Sequence, residues 1–217
     1  MNTLTPRLFR WTKASTALLA LPFLALPLHA QDGGLYEDVP DPNASFVRVV
    51  GADLNSAVIN NTALDGLDTG ISPYVVITDP GDITISAGTD ETIETIQPGT
   101  FYSLIVAQDG SKSMVTDTIT LNPAQADVTF YNLSDLPSVD LFVPAAKAVA
   151  IPGVAVNATG SVALKAPLTL DFEVREGDKT LATLPGIALE RRKGVAIVFR
   201  GSGGTYELVS AENKIAN

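Results

Sequence analysis

Short β-branched and aromatic runs recur along the chain, and the 3.6-residue spacing of a long amphipathic helix is absent. Apolar and polar residues alternate within several runs, as at residues 83–86 and 170–174. A two-residue period is typical of a strand with one buried face. The predicted strands are 46–50, 74–78, 83–86, 101–107, 128–131, 169–174 and 195–200.

Turn sequences separate these runs at intervals that suit short strands. They include Asp-Pro-Gly-Asp at 79–82, Gln-Pro-Gly at 97–99 and Glu-Gly-Asp at 176–178. Proline sets φ for such turns and glycine supplies positive φ, so each sequence favours a chain reversal. The pattern predicts an all-β protein of antiparallel β-sandwich architecture.

The two halves of the chain resemble each other in sequence. Three segments align in order: 46–58 with 127–139, 83–93 with 172–181, and 102–110 with 195–203. An internal duplication explains these matches, and so does chance similarity between generic strand–turn–strand patterns. We predict two tandem antiparallel β-sandwich domains. Their predicted bounds are 45–121 and 126–210, with a linker at 122–125 and a tail at 211–217.

The first thirty residues have the pattern of a secretory signal peptide. Arg7, Arg10 and Lys13 precede an apolar run at 14–28, and Ala30 supplies a small residue for cleavage. We therefore predict a cleaved signal peptide at 1–30 and a mature protein in the periplasm. An extended arm is predicted at 31–44.

The residue types missing after position 30 exclude several kinds of chemistry. The chain has one histidine, His29, and one tryptophan, Trp11, and it has no cysteine. A Ser-His-Asp triad, a Cys-His dyad and a histidine-ligated metal all need residues that the mature chain lacks. We predict no catalytic residues, no cofactor and no metal site.

Two neighbouring carboxylates, Asp171 and Glu173, are candidates for acid–base work because they share one face of a predicted strand. Paired carboxylates cleave glycosidic bonds in many hydrolases. The commoner reason for such a pair is a solvated strand face, and we prefer that interpretation.

Charge is distributed unevenly in a chain whose net charge is −10. Residues 31–123 hold two basic and 14 acidic residues, whereas residues 124–217 hold nine basic and ten acidic ones. This acidity disfavours nucleic-acid binding. The densest basic cluster is Arg191, Arg192 and Lys193, with Arg200 nearby in sequence. These four residues are candidates for contact with an acidic partner or polymer. The alternative is that Arg191, Arg192 and Lys193 form a solvated turn before the predicted strand 195–200.

Three segments resemble the AlgF family of periplasmic alginate biosynthesis proteins: 34–49, 131–135 and 186–203. The resemblance extends over nearly the whole mature chain. It implies two β-sandwich domains and a role in O-acetylation of alginate, an anionic exopolysaccharide. The implied partners are a membrane-bound O-acyltransferase and periplasmic serine-type acetyltransferases.

Together, the resemblance and the missing histidine lead us to expect a non-catalytic adaptor, because a serine nucleophile needs a base to activate it. One alternative is a polysaccharide-binding module that presents the polymer for acetylation. Another is a role in the acetylation of a different polymer, such as cellulose. A third is an acetyl carrier that uses a serine or threonine.

Overall fold

The structure, a computed structural model, describes residue 41 and residues 43–216. The predicted signal peptide at 1–30, with His29 and Trp11, lies outside the described residues. Most of the predicted arm at 31–44 lies outside them as well.

The first half of the described chain forms two four-stranded sheets. Its strands are β1 (Ser45–Gly51), β2 (Ser56–Ile59), β3 (Thr62–Asp65), β4 (Val75–Ile77), β5 (Asp82–Ala87), β6 (Asp90–Thr95), β7 (Phe101–Val106) and β8 (Lys112–Asp117). One sheet has the order β4-β1-β7-β8 and the other has the order β3-β2-β5-β6. Alternation decides which side chains are buried: in β5, Ile83 and Ile85 are buried while Thr84 between them is half-buried.

The second half forms two further four-stranded sheets and a short 3-10 helix, Pro144–Ala146. Its strands are β9 (Gln125–Ser134), β10 (Ser138–Val143), β11 (Ala148–Ala155), β12 (Ala158–Lys165), β13 (Leu168–Glu176), β14 (Lys179–Leu189), β15 (Gly194–Ser202) and β16 (Thr205–Glu212). The sheet orders are β12-β9-β15-β16 and β11-β10-β13-β14. The predicted all-β fold with two sandwiches is confirmed.

The two halves have the same topology. If the eight strands of each half are numbered from 1 to 8, both halves have the sheet orders 4-1-7-8 and 3-2-5-6. The three sequence matches fall on equivalent strands. Val47 of β1 lies opposite Tyr102 of β7, and their aligned counterparts Val128 and Val195 lie opposite each other in β9 and β15. Shared topology and shared register support an internal duplication.

One strand pair in each half departs from the predicted antiparallel pattern. β1 pairs with β7, and β9 pairs with β15, in parallel. Parallel neighbours need a crossover connection. In each half, the connection contains all four strands of the second sheet and one edge strand of the first sheet, β4 or β12.

One sheet of each half packs against the other half, and we call this contact the seam. Its apolar cluster consists of Val50, Ile71, Ile105, Tyr131, Leu133, Ala196 and Val198. The strands β1 and β9 are therefore buried on both faces. On β1, Val47 and Val49 face the core of the first sandwich, whereas Val50 faces the seam.

The end of the described chain returns to the first half. The N–H of Tyr74 donates to the carbonyl of Lys214 at 2.7 Å, and the N–H of Ala216 donates to the carbonyl of Tyr74 at 2.8 Å. Residues of the predicted tail at 211–217 thus complete β16 and then contact the first sandwich. The predicted domain boundaries stay a prediction.

Candidate functional site

The predicted contact residues Arg191, Arg192 and Lys193 lie in the turn between β14 and β15. This turn carries the chain from the outer sheet of the second sandwich to the sheet at the seam. Arg192 has a φ of 62°, in the left-handed region that tight reversals use. Its backbone N–H donates to the carbonyl of Gln125 at 3.1 Å, so the turn is tied to the start of β9.

Lys193 is engaged by two carboxylates. Its Nζ lies 3.0 Å from Oε2 of Glu190 and 3.3 Å from Oε1 of Glu212. The hydrogen bond with Glu190, followed by that with Glu212, raises the pKa of Lys193. Its charge is therefore largely compensated within the protein.

Arg200 lies far from the turn, near the other end of β15. It lies seven positions after Lys193 along an extended chain, which corresponds to about 23 Å. Its Nε lies 2.6 Å from Oε1 of Glu207, and its Nη1 donates to the carbonyl of Ala52 in the first half. Arg200 thus joins the two sandwiches, and the structure does not bring it together with the three turn residues.

Arg191 and Arg192 are exposed, and neither forms an ion pair with any described residue. Nε of Arg191 donates to the carbonyl of Ala166 at 2.8 Å, which fixes the side chain against the end of β12. The last residue of β12 is Lys165, which is also exposed and lies opposite Gln125 in the ladder. The structure therefore brings a third unpaired cation to the turn.

Two leucines expose apolar surface at the same end of the second sandwich. Leu121 is 44% exposed and Leu168 is 46% exposed. Leu168 begins β13 opposite Leu189, the residue at which β14 runs into the basic turn. We call the set formed by Leu121, Lys165, Leu168, Arg191 and Arg192 the basic end. Sequence reasoning missed Lys165 and Leu168 because strand pairing, rather than sequence proximity, places them at this end of the sandwich. It missed Leu121 because this residue lies in the connection between β8 and β9.

A groove beside Lys193 has a volume of about 220 Å3 and lies between the edge strands β14 and β16. Ile187, Val195 and Ala211 line it, together with the Lys193–Glu212 pair. Pockets for small ligands are larger, roughly 300–1,000 Å3. The volume of the groove lies below this range.

A second cluster of charged and polar side chains lies buried at the seam, around Arg48. Arg48 is 1% exposed. Its Nε donates to Oγ of Ser103 at 3.0 Å, and its Nη1 donates to Oδ1 of Asn213 at 2.7 Å. Its Nη2 lies 3.4 Å from Oδ2 of Asp117 and also donates to the hydroxyl of Tyr131.

The carboxylate of Asp117 collects the remaining donors of this cluster. The hydroxyls of Tyr74 and Ser103 each donate to Oδ2 at 2.6 Å, and the hydroxyl of Tyr131 donates to Oδ1 at 2.7 Å. Burial raises the pKa of Tyr74 and of Tyr131, so both phenols stay protonated and keep donating. Perturbed pKa values often mark functional sites, but structural ion-pair networks also perturb them. Because these side chains are buried and mutually bonded, the cluster joins the two sandwiches.

The carboxylate pair Asp171 and Glu173 is occupied by structural contacts. Oδ1 of Asp171 accepts from the N–H of Gly186 at 2.7 Å. Oε2 of Glu173 lies 2.6 Å from Nη2 of Arg175 and accepts from Oγ1 of Thr180 at 3.0 Å. The hydrogen bond from Arg175 lowers the pKa of Glu173, which is the opposite of what a general acid needs.

Across residues 41 and 43–216, no three or more His, Cys, Asp or Glu side chains are grouped so as to hold a metal ion. In that same part of the chain, no helix is long and apolar enough to cross a membrane.

Comparisons with known proteins support the family resemblance. The chain is 28% identical over 214 residues to the alginate biosynthesis protein AlgF of Pseudomonas syringae pv. tomato, covering 98% of this chain and 94% of that protein. It is 26% identical over 207 residues to AlgF of Pseudomonas aeruginosa, covering 94% of each. No protein-family model matches the chain. The predicted resemblance to the AlgF family is confirmed.

Among solved structures, the C-terminal domain of AlgF from P. aeruginosa aligns with a TM-score of 0.37 and 23% sequence identity. The alignment covers 42% of this chain and 99% of that domain.

Proposed function

We propose that this chain is a non-catalytic periplasmic accessory protein of alginate O-acetylation. In this proposal it is an adaptor that holds periplasmic acetyltransferases near a membrane-bound O-acyltransferase. The observation that carries the alginate-related role is the similarity to proteins named for alginate biosynthesis, which extends over nearly the full length of both chains.

The chemistry of acyl transfer supports a non-catalytic role. A serine nucleophile needs an adjacent base, and the sequence after residue 30 has no histidine to supply one. Two carboxylates that could replace histidine are engaged: Asp117 accepts hydrogen bonds from three hydroxyl groups at the seam, and Glu173 is bound by Arg175. An adaptor needs only surfaces that bind partners.

Charge supports protein partners over the polymer itself. Alginate is a polyanion, and residues 31–123 carry 14 acidic against two basic residues. Like charges at close range oppose binding. The alternative function, presentation of the polymer, therefore has to use the second half of the chain, whose charge is nearly balanced.

A deletion strain of an alginate producer tests the proposal. We expect the strain to secrete alginate that lacks acetyl groups, and we expect the wild-type gene to restore them. The acetyl content is measured by proton NMR of the purified polymer. Purified protein should give no turnover with an acetyl ester donor and an oligomannuronate acceptor.

Three results would count against the proposal. If acetylation continues unchanged in the deletion strain, the protein has no role in acetylation. Turnover that survives repurification and disappears when one serine is replaced would make the protein an enzyme. Tight binding of oligomannuronate by the purified protein, with no binding of a purified acetyltransferase, would favour the polymer-presenting function.

A further inference from the structure

We infer that the basic end is a docking surface for a protein partner whose own surface presents carboxylates around an apolar contact. The inference rests on the proposed function for the choice of partner, a periplasmic acetyltransferase. It adds to that function the place on the chain where the partner binds.

The backbone holds the basic end in a fixed arrangement. The N–H of Ala166 donates to the carbonyl of Ala124 at 3.3 Å, which joins the end of β12 to the connection before β9. The N–H of Arg192 donates to the carbonyl of Gln125, the residue that lies opposite Lys165. Three separate segments are thus tied together, so the surface does not have to be ordered when a partner binds.

The charges of the basic end are uncompensated within the described part of the chain. Lys165, Arg191 and Arg192 form no ion pair with a described residue, in contrast to Arg175 and Arg200, which each contact a glutamate. Cations that lack an internal partner concentrate positive potential in an otherwise acidic protein. An acidic surface complements that potential and is steered toward it.

The apolar part of the basic end favours a protein over a sugar polymer. Leu121 and Leu168 are aliphatic, and no aromatic residue occurs in segments 121–125, 165–168 or 189–193. Sugars bind flat aromatic faces and grooves, whereas protein interfaces combine an apolar centre with arginine. Exposed leucines flanked by arginines have the composition of a protein interface.

The test uses the purified mature protein and a purified periplasmic acetyltransferase from the same organism. Lys165→Gln with Arg192→Gln removes two charges at positions where neither side chain makes an internal hydrogen bond among the described residues. We expect affinity to fall by at least about tenfold, mainly through slower association, with a weaker dependence on salt. The control, Lys112→Gln with Lys179→Gln, removes two charges away from the basic end and should change affinity by less than about twofold. Lys112 donates to the carbonyl of Asp90, so the folding of this control is checked together with that of the other variants.

A second pair of variants tests the apolar contact. Leu168→Ser should speed dissociation of the acetyltransferase by at least about fivefold. The control, Ile93→Ser, changes an isoleucine that is 68% exposed in the outer sheet of the first sandwich, and it should leave dissociation unchanged. Circular dichroism spectra should match the wild type for all four variants.

The outcomes separate the inference from the proposed function. A wild-type protein that binds no acetyltransferase contradicts both. A wild-type protein that binds, with charge and leucine variants that bind equally well, contradicts only the docking surface. Binding of oligomannuronate that the charge variant abolishes, with acetyltransferase binding unchanged, would overturn the inference in favour of a polymer site.

Discussion

Arg48 and Arg192 occupy opposite extremes of environment in one small protein. The side chain of Arg48 is buried at the seam and contacts Ser103, Asp117, Tyr131 and Asn213. The side chain of Arg192 is exposed and has no ion pair among the described residues. The contacts of the Arg48 side chain give it a structural role, whereas the Arg192 side chain has no such contacts among the described residues.

The difference follows from the cost of burying a charge. An ion removed from water must find a counter-ion and hydrogen bonds, or the fold loses several kcal/mol. At the seam, residues of both sandwiches and of the segment after β16 give Arg48 a counter-ion and hydrogen-bond partners. At the basic end water already solvates the cations, so their contribution to stability is about 0–1 kcal/mol. A partner can therefore use them without weakening the fold.

The largest predicted effect is that of Arg48→Met. This substitution keeps most of the side-chain volume but leaves the Asp117 carboxylate buried without a counter-ion. We expect the free energy of unfolding, measured by urea denaturation, to fall by about 3–5 kcal/mol. The control is Arg175→Met, which breaks a partly exposed pair with Glu173 and should cost about 1 kcal/mol or less. A loss below about 1 kcal/mol for Arg48→Met would show that the seam does not depend on this charge.

Local pattern was sufficient to predict seven of the sixteen strands of the described residues and the two sandwiches, but it could not reveal the other nine strands or the seam. The alternation in 46–50 places Arg48 on one face with Phe46 and Val50, where a lone arginine suggests contact with solvent. Its partners lie 55, 69, 83 and 165 residues away along the chain. Only the packing of one sandwich on the other brings these groups together.

The basic turn was predictable from the sequence only in part. Arg191, Arg192 and Lys193 are adjacent in sequence, and Glu190 is close enough to suggest that it pairs with Lys193. Sequence proximity to Arg200 was misleading, because an extended strand separates residues that a helix would bring close. Whether the four candidate residues contact a partner stays a prediction.

Alkaline pH should weaken the seam. Burial raises the pKa of Tyr74 and Tyr131 in the folded protein above the ordinary value of about 10. Above that pH the unfolded chain loses these protons while the folded chain keeps them. Stability is therefore fully present below about pH 10 and falls as the pH rises further, by up to about 1.4 kcal/mol per pH unit for each tyrosine.

Urea denaturation at a series of alkaline pH values measures this slope. Tyr131→Phe should reduce the slope, because one of the two buried phenols is removed. Ionisation of the buried phenols, followed by their ultraviolet absorbance, should coincide with unfolding. Titration of both buried phenols in a protein that stays folded would contradict the prediction.

At neutral pH, Tyr131→Phe should have a smaller effect than Arg48→Met. The ring stays in the seam, but Asp117 loses a hydrogen bond of 2.7 Å and Arg48 loses an acceptor. Leaving buried polar atoms unsatisfied costs about 1–3 kcal/mol in the free energy of unfolding. The control, Tyr206→Phe, removes a comparable bond to Asp135 on the exposed surface and should cost less than about 1 kcal/mol. Equal losses in the free energy of unfolding for the two variants would mean that burial at the seam does not increase the cost of losing such a hydrogen bond.

The smallest effect on stability is predicted for the basic end itself. Lys165→Gln with Arg192→Gln removes two exposed charges that have no internal ion pair, and the glutamine at position 192 inherits the same left-handed backbone. The midpoint of urea denaturation should therefore shift by no more than about 0.5 kcal/mol in the free energy of unfolding. A clear loss of stability would mean that these cations support the end of the sandwich. If the midpoint is unchanged and binding of the acetyltransferase is weakened, the role of these cations lies at the interface. Surface charges that do not affect folding can still attract a partner of opposite charge.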